Sequence, residues 1–413
     1  MVLAIGCTSE GRPASNVKPA AVHYRYATTA GAASDTSSII EQLEARAATP
    51  IASPEDLGDL ADLYVRRAML DGDPDDYKRA EEMARRSLAK RASPNGAAIV
   101  LAKVASAHHD FQKAIEIAQG VLRVKPTAGT YNLVATCFLA LGDLAQASAA
   151  ADAAVSMQAR PATFLTRALV RQAQGRDVEA AADFASAVKV EEFGDPEEAV
   201  RTRALWGRFL IRRGDLASAE VVITEALRII PGDPLALAQA AELALHRGRV
   251  AEARGLFERA FASSRQVRYL IDLARAQELA KNLDDARTSR TLVEQLVRSD
   301  LATHGVGHRL DLVEVLVDRG APADLAEAVT LAQQELERRP SAETRFQLAR
   351  ALWRTGARTD AAIQIRAVLA TGVHDARVYE LAARIEGGAQ GALYQREAAK
   401  LDPINAGWRR LGL

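Results

Sequence analysis

Four carboxylates near residue 75 have the spacing of a calcium-binding loop. Asp71, Asp73 and Asp75 fall on the first, third and fifth positions of such a loop, and Glu82 falls on the twelfth. Calcium takes oxygen ligands at these positions, and the loop needs a glycine at its sixth position to turn sharply. Asp76 occupies that position here. The sequence therefore favours a turn followed by a capped helix over a calcium site.

The other chemical patterns are equally weak. His304 and His308 are four residues apart, but two glycines intervene and no third ligand has a suitable spacing. The tripeptide Arg213-Gly214-Asp215 has the letters of an adhesion motif but occupies a turn, and His108 and His109 lie in a turn where solvent would reach them. No phosphate-binding glycine loop, serine-nucleophile elbow or zinc-protease helix is present. We therefore expect a protein that is not an enzyme and uses no metal or other cofactor.

The balance of charge argues against nucleic acid as a partner. The 413 residues include 53 basic and 53 acidic residues, so the formal net charge is zero. A chain without excess positive charge has little with which to hold a phosphate backbone. We expect neither nucleic acid nor a small-molecule substrate. Hydrophobic residues make up 48% of the chain, which is enough for a continuous core in an elongated stack of repeats.

An alanine recurs along the chain, mostly at steps of 33 or 34 residues, and defines its elements. The positions are Ala80, Ala114, Ala147, Ala180, Ala219, Ala253, Ala286, Ala328, Ala361 and Ala392. A turn lies about five residues before the alanine, where glycines such as Gly142 and Gly356 supply the left-handed conformation that ends a helix. A second small residue precedes the turn, at Ala135, Ala168, Gly207, Ala241, Ala274 and Ala349. Small residues at both positions let two helices cross closely.

These features resemble the tetratricopeptide repeat family, whose unit is a 34-residue helix-turn-helix with small residues at packing positions. In the best unit the resemblance rests on Tyr131, Val134, Ala135, Phe138, Gly142, Ala147, Ala151 and Ala154. Insertions lengthen two units, around Phe193-Gly194-Asp195-Pro196 and Gly320-Ala321-Pro322-Ala323. The resemblance implies an all-α fold, a right-handed superhelical solenoid of about ten helix-turn-helix repeats, and binding of proteins.

We expect five segments along the chain. They are a lipobox-like start at 1–7, a flexible tether at 8–38, a short leading helix at 39–54, the solenoid at 55–403 and a C-terminal capping tail at 404–413. The tether is rich in Ala, Ser, Thr, Gly and Pro, as flexible linkers are. Within it, residues 21–29 have a strand-like composition. They either pair with a partner or lie against the solenoid.

The two cysteines lie in different settings. Cys137 falls within a predicted helix, where we expect a small core residue. Cys7 follows Val2-Leu3-Ala4-Ile5-Gly6, which resembles the lipobox of bacterial lipoproteins, in which the cysteine is lipidated. Only six residues precede Cys7, whereas a secretory signal needs an apolar stretch of about 7 to 15 residues. Either the true start lies upstream of Met1, or the resemblance is a coincidence.

In the family, the first helix of each pair lines a concave groove that holds a peptide or a helix of another protein. Carried onto this sequence, the groove-facing positions are Asn132, Arg208, Glu242, Arg275, Glu314, Arg350 and Trp353. From Arg208 to Arg350 the charges alternate in sign. This alternation predicts either a ladder of partly exposed ion pairs between repeats or a polar row that binds a ligand chain. Trp353 is either an aromatic anchor for a partner or a packing residue.

Two functions follow from the resemblance and from Cys7. The first is an envelope protein, lipid-anchored on the periplasmic or surface side, that acts as an adaptor in the assembly of a secretion, pilus or export machine. The second is a soluble cytoplasmic scaffold or regulatory subunit with the same groove and no lipid. A purely structural role within a larger assembly is a third.

Overall fold

A computed structural model of the chain describes residues 17–26, 32–71, 73–91, 96–304 and 308–402. These residues form helices joined by short turns and contain no strand. The helices are α1 (Pro19–Val22), α2 (Ala32–Ala47), α3 (Pro54–Asp71), α4 (Pro74–Lys90), α5 (Gly96–Ala107), α6 (Phe111–Leu122), α7 (Ala128–Leu141), α8 (Leu144–Met157), α9 (Pro161–Ala173), α10 (Asp177–Lys189), α11 (Pro196–Ile211), α12 (Leu216–Ile229), α13 (Pro234–His246), α14 (Val250–Ser263), α15 (Val267–Leu279), α16 (Leu283–His304), α17 (Arg309–Arg319), α18 (Pro322–Arg338), α19 (Ala342–Arg354), α20 (Arg358–Leu369), α21 (Ala376–Glu386) and α22 (Gly388–Leu401).

From α3 onward the helices form ten hairpins. Each odd-numbered helix from α3 to α21 packs most closely against the helix that follows it, and each hairpin packs against the next along the chain. Side-chain caps begin many of the helices; Asp143, for example, accepts a hydrogen bond from the Gln146 backbone N–H at the start of α8. This arrangement confirms the predicted all-α solenoid of about ten helix-turn-helix repeats.

The periodic small residues lie where the helices cross. Nine of the ten periodic alanines are buried, but Ala392 is exposed. The prediction was wrong by one position there, because α22 begins directly after Gly387 whereas α8 and α20 begin two residues after their turn glycines. The fourth helical position, which the alanine occupies in α8 and α20, is therefore Gly391 in α22. A Cβ on Gly391 would lie only 2.6 Å from the carbonyl oxygen of Ala383, so this crossing needs glycine.

The stack of repeats curves so strongly that repeats far apart in the sequence contact each other. His374 Nδ1 lies 2.7 Å from Asp177 Oδ2, and Gln266 Nε2 donates to the Met69 carbonyl at 3.3 Å; each pair is 197 residues apart in the chain. In both cases a repeat contacts the sixth repeat further along. We call the contacts between residues 142–215 and residues 340–402 the seam. The seam closes the superhelix around its inner surface.

The N-terminal region differs from the expected segments. The leading helix, predicted at 39–54, is α2, which begins at Ala32 within the predicted tether. It ends at Ala47 because Thr49 precedes a proline, which disfavours helical geometry. Residues 17–26, predicted within a flexible tether, lie against the solenoid, with Val22 and Tyr24 only 1% and 2% exposed. Of the two roles expected for this strand-like segment, the structure shows contact with the solenoid for residues 21–26. The lipobox-like start with Cys7 and the tail at 404–413 lie outside the described residues.

Candidate functional site

A cavity of about 380 Å³ lies on the inner surface of the later repeats. Side chains from the first helices α11, α13, α15, α17, α19 and α21 line it, because the opposite faces of these helices pack against their hairpin partners. Arg208, Glu242, Arg275 and Glu314 are among the lining residues. His109, from an early repeat, closes one edge, where its ring centroid lies 4.7 Å from that of His308.

Five charged residues in and next to the cavity lining form a cluster, which we call the ion cluster. Its members are Arg268, Arg275, Glu314, Asp318 and Arg350. Glu314 lies 2.7 Å from Arg275 and 2.6 Å from Arg268, while Asp318 lies 2.8 Å from Arg275 and 2.7 Å from Arg350. Arg275, Glu314 and Arg350 are at most 5% exposed. The ion pairs are therefore mainly buried rather than partly exposed, and Arg350 pairs with Asp318 instead of Glu314.

Burial and neighbouring charge oppose each other in the ion cluster. Burial raises the pKa of the Glu314 carboxyl, but the guanidinium groups of Arg268 and Arg275 outweigh it and hold that pKa well below its usual range. Burial likewise raises the pKa of Asp318, and Arg275 with Arg350 outweighs it, so the net direction is again downward. Both carboxylates are charged at neutral pH. The charges of the ion cluster are thus paired with one another. These ion pairs link α15, α17 and α19, the first helices of three successive hairpins.

Arg208 and Glu242 stand apart from the ion cluster. Arg208 Nε is buried without a hydrogen-bond partner among the described residues, as is Oε1 of Gln239, a residue that also lines the cavity. Neither Arg208 nor Glu242 forms an ion pair within the described ranges. Burial, with a smaller effect of Arg212, lowers the pKa of the Arg208 guanidinium to about 10, so the group remains charged at neutral pH. Glu242 opposes the lowering of the Arg208 pKa from a distance, without a close ion pair in the described ranges.

The remaining predicted positions lie outside the cavity lining. Asn132 is half-buried on α7, with its side-chain Oδ1 unpartnered among the described residues. Arg350 lies in the ion cluster. Trp353 is half-buried against the main hydrophobic core, and the Arg358 guanidinium lies 5.1 Å from the centroid of its ring. The structure therefore brings together four of the seven predicted residues around one cavity.

The weak chemical motifs have structural roles. Asp73 accepts a hydrogen bond from the Asp75 backbone N–H and caps α4, as the turn interpretation predicted. Gly214 is left-handed at its turn, and Asp215 caps α12. His109, expected to be solvated, instead stacks on Phe111 and lines the cavity. In the described ranges, no three His, Cys, Asp or Glu side chains are grouped as metal ligands would be.

Two residues of the site were missed because only one position was considered on each helix: Arg268, which lines the cavity, and Asp318, which belongs to the ion cluster. Arg268 precedes Arg275 by seven residues and Asp318 follows Glu314 by four, so each lies on the same helical face as a predicted residue. That spacing could have identified both residues from the sequence. The contribution of His109 from an early repeat had no such signal, because it depends on the curvature of the whole stack.

The class of protein is an α-helical repeat solenoid with a lined inner cavity. Tetratricopeptide repeat profiles match residues 99–163 and 210–270. The chain therefore contains tetratricopeptide repeats in these two segments, which confirms the resemblance seen in the sequence. Repeats of this family indicate an interaction scaffold with protein partners. No curated protein sequence matches the chain.

Solved structures with similar repeats are distant in sequence. A tetratricopeptide repeat protein from Parabacteroides merdae shares 17% identity over 61% of this chain and 98% of its own, with a TM-score of 0.41. A human IFIT1 dimer with PPP-AAAA shares 13% over 85% of this chain and 98% of its own, with a TM-score of 0.45. PilW, described as a type IV pilus biogenesis factor, shares 16% over 50% of this chain and 96% of its own, with a TM-score of 0.40. These values are too low for a function to be transferred.

Proposed function

We propose that this chain is a non-catalytic scaffold that binds a segment of a partner protein in the cavity beside Arg208 and Glu242. The observation that carries the proposal is that the lining of one cavity contains two buried side-chain atoms without a hydrogen-bond partner among the described residues, Nε of Arg208 and Oε1 of Gln239. Buried polar atoms of this kind are costly unless a ligand completes them. The ion cluster, in contrast, is already satisfied and lies in and next to the lining of the site.

The size and charge of the cavity define the partner segment. An α-helix with its side chains is about 10 Å wide, so a cavity of about 380 Å³ holds a few residues of extended chain more readily than several turns of helix. Arg208 offers donors to a carboxylate or a carbonyl, and Glu242 accepts from a cation or an amide. We expect a short extended segment that carries both kinds of group.

A photo-cross-linking residue at Leu235, which lines the cavity, tests this proposal in the native host. The partner should be captured from Leu235 but not from Val178, which is 78% exposed on α10. Arg208→Glu should lower the capture by about tenfold or more, because it places like charge beside Glu242. Arg287→Glu, at a solvent-exposed position of α16, should leave capture unchanged. Equal capture from Leu235 with and without Arg208→Glu would refute this site.

We further propose that the scaffold is an envelope lipoprotein that assists assembly of a secretion, pilus or export machine. The support is the lipobox-like sequence that ends at Cys7. Lipidation there would place a membrane anchor ahead of the solenoid. Among the described residues, no helix combines the length and apolarity needed to cross a bilayer. A cytoplasmic scaffold without lipid is the alternative.

Intact mass and membrane fractionation of the protein from its native locus test the anchor. A diacyl or triacyl mass on Cys7, with the protein in the membrane fraction, supports the envelope adaptor. Cys7→Ala should then release the protein from that fraction. An unmodified chain in the soluble fraction would discard the anchor and leave the cytoplasmic scaffold.

A further inference from the structure

The N-terminal segment 17–26 lies in a slot between α10 and α12, the second helices of two adjacent hairpins. Val22 packs with residues of α10 and α12, and Tyr24 packs with Val200 of α11 and Ile229 of α12. His23 and Arg25, which alternate with Val22 and Tyr24, are exposed. The single turn of α1 ends at Val22, and the backbone is extended at His23. From Val22 to Arg25 the alternation of buried and exposed side chains is therefore that of an extended peptide bound along one face.

The slot contacts the backbone of the segment as well as its side chains. Arg203 is 0% exposed, and its Nε donates to the Val22 carbonyl at 2.7 Å. The Tyr24 backbone N–H donates to Glu225 Oε1 at 2.7 Å, and Arg228 Nη2 donates to the Tyr24 carbonyl at 3.2 Å. Side chains of the solenoid thus satisfy both backbone groups of Tyr24. Such main-chain hydrogen bonds are how extended peptides gain affinity, while pockets for alternate side chains give specificity.

The repeat insertion before α11 builds one wall of this slot. Glu191 lies 3.0 Å from Arg203 Nη2 and fixes the guanidinium that holds Val22. The Tyr26 hydroxyl donates to the Glu191 carbonyl at 3.2 Å, and the Tyr26 ring meets the Phe193 ring edge-on at 5.8 Å. The extra residues that interrupt the repeat period therefore have a defined use: they complete a site that a standard repeat turn would leave open.

We propose that the slot between α10 and α12 is a second peptide-binding site, separate from the cavity, and that residues 17–26 are its resident ligand. The site selects an extended segment with an aliphatic residue followed, two positions later, by an aromatic residue. It holds that segment through noncovalent contacts alone. The chain that precedes Val17 is thereby attached to the middle of the solenoid instead of its first repeat.

The slot and the cavity share one helix. Arg203 on α11 faces the slot, and Arg208 on the same helix lines the cavity. Occupancy of the slot therefore positions the helix that carries a main residue of the proposed partner site. The existence of the slot does not depend on what the cavity binds.

A specific cut in the folded full chain tests the second site. A recognition sequence for a site-specific protease is inserted between Tyr26 and Ala32, and the native protein is cleaved. The N-terminal fragment should co-elute with the solenoid on size exclusion at micromolar concentration. Arg203→Ala should release the fragment at least tenfold faster, whereas Arg201→Ala, at an exposed position of the same helix, should retain it.

Tyr24→Ser is a second variant, needed because faster release from Arg203→Ala could also result from misfolding of the solenoid. This change lies in the fragment and leaves every residue of the solenoid unaltered, so faster release must come from the slot contacts. Immediate separation of the wild-type fragment would overturn the proposal. So would retention of the Tyr24→Ser fragment as firmly as the wild-type one.

Discussion

Gly142 meets Ser341 across the seam so closely that a Cβ on Gly142 would lie 2.7 Å from the Ser341 Cα. Gly142 is the turn glycine of an early repeat, and Ser341 is the N-cap of α19 in the sixth repeat after it. The same residue therefore ends one helix and makes room for the next superhelical turn. Gly356 has the same left-handed backbone, with φ 85° against 84° for Gly142, but no heavy atom within 4 Å of its Cβ position.

Gly142→Ala and Gly356→Ala form a matched pair that isolates the seam. Gly356→Ala should lose about 1 to 2 kcal/mol in unfolding free energy, because alanine is strained in the left-handed region. Gly142→Ala should lose more than this and should also enlarge the radius of gyration in small-angle scattering, because the new methyl group pushes the two turns apart. If both variants keep the wild-type radius of gyration, the seam does not hold in solution.

Glu314→Gln should destabilise the fold by about 3 kcal/mol in urea denaturation, because it leaves buried guanidinium charge uncompensated in the ion cluster. Glu252→Gln is the control. Its partner Arg249 is 3.0 Å away, and both side chains are about half-exposed, so its effect should stay within about 0.5 kcal/mol. Similar small losses in the two variants would show that water screens the ion cluster.

The ion cluster should also make stability sensitive to acid. The folded pKa values of Glu314 and Asp318 are lowered, so the unfolded chain binds more protons at low pH. Their contribution to the unfolding free energy is complete above about pH 5 and is lost as the pH falls toward the folded values. Urea midpoints between about pH 3 and about pH 7 should fall less steeply for Glu314→Gln than for wild type. Glu252→Gln should follow the wild-type slope, and identical slopes in all three would contradict this account.

Cys137 should be inert in the folded protein. Its side chain is 0% exposed, and burial raises the pKa of its thiol to about 11, with a small opposing effect of Ser106. Only a thiolate reacts readily with disulfide reagents. In a Cys7→Ser chain at about pH 8, we expect no thiol release by Ellman's reagent until denaturant is added, and one equivalent afterwards. Rapid reaction of the native variant would contradict the packing of α7.

The sequence predicted the repeats because their signals are local. Ala147 and Ala361 each follow a turn glycine and pack against the adjoining helix of the same hairpin. Short-range geometry of this kind depends on a few neighbouring residues. The exception at Gly391 is also local, since it follows from where α22 begins.

The candidate site was only partly accessible to the same reasoning. The helical register placed Arg208, Glu242, Arg275 and Glu314 on the inner face of the stack. The predicted ladder of ion pairs includes the Arg275–Glu314 pair that the structure contains. It did not predict that Arg208 and Glu242 would form no ion pair within the described residues. That difference depends on side chains such as Arg268 and Asp318, whose reach and direction a repeat pattern does not specify.

By itself, the sequence determined the hairpins, their small packing residues and the face on which the charged row lies. Only the tertiary structure decided that the stack closes at the seam, that Gly142 contacts Ser341 and that residues 17–26 fill the slot beside Arg203. The physical reason is that each repeat adds a small rotation to the one before it. The contact between repeats about 200 residues apart depends on the sum of these rotations, and no single repeat encodes that sum.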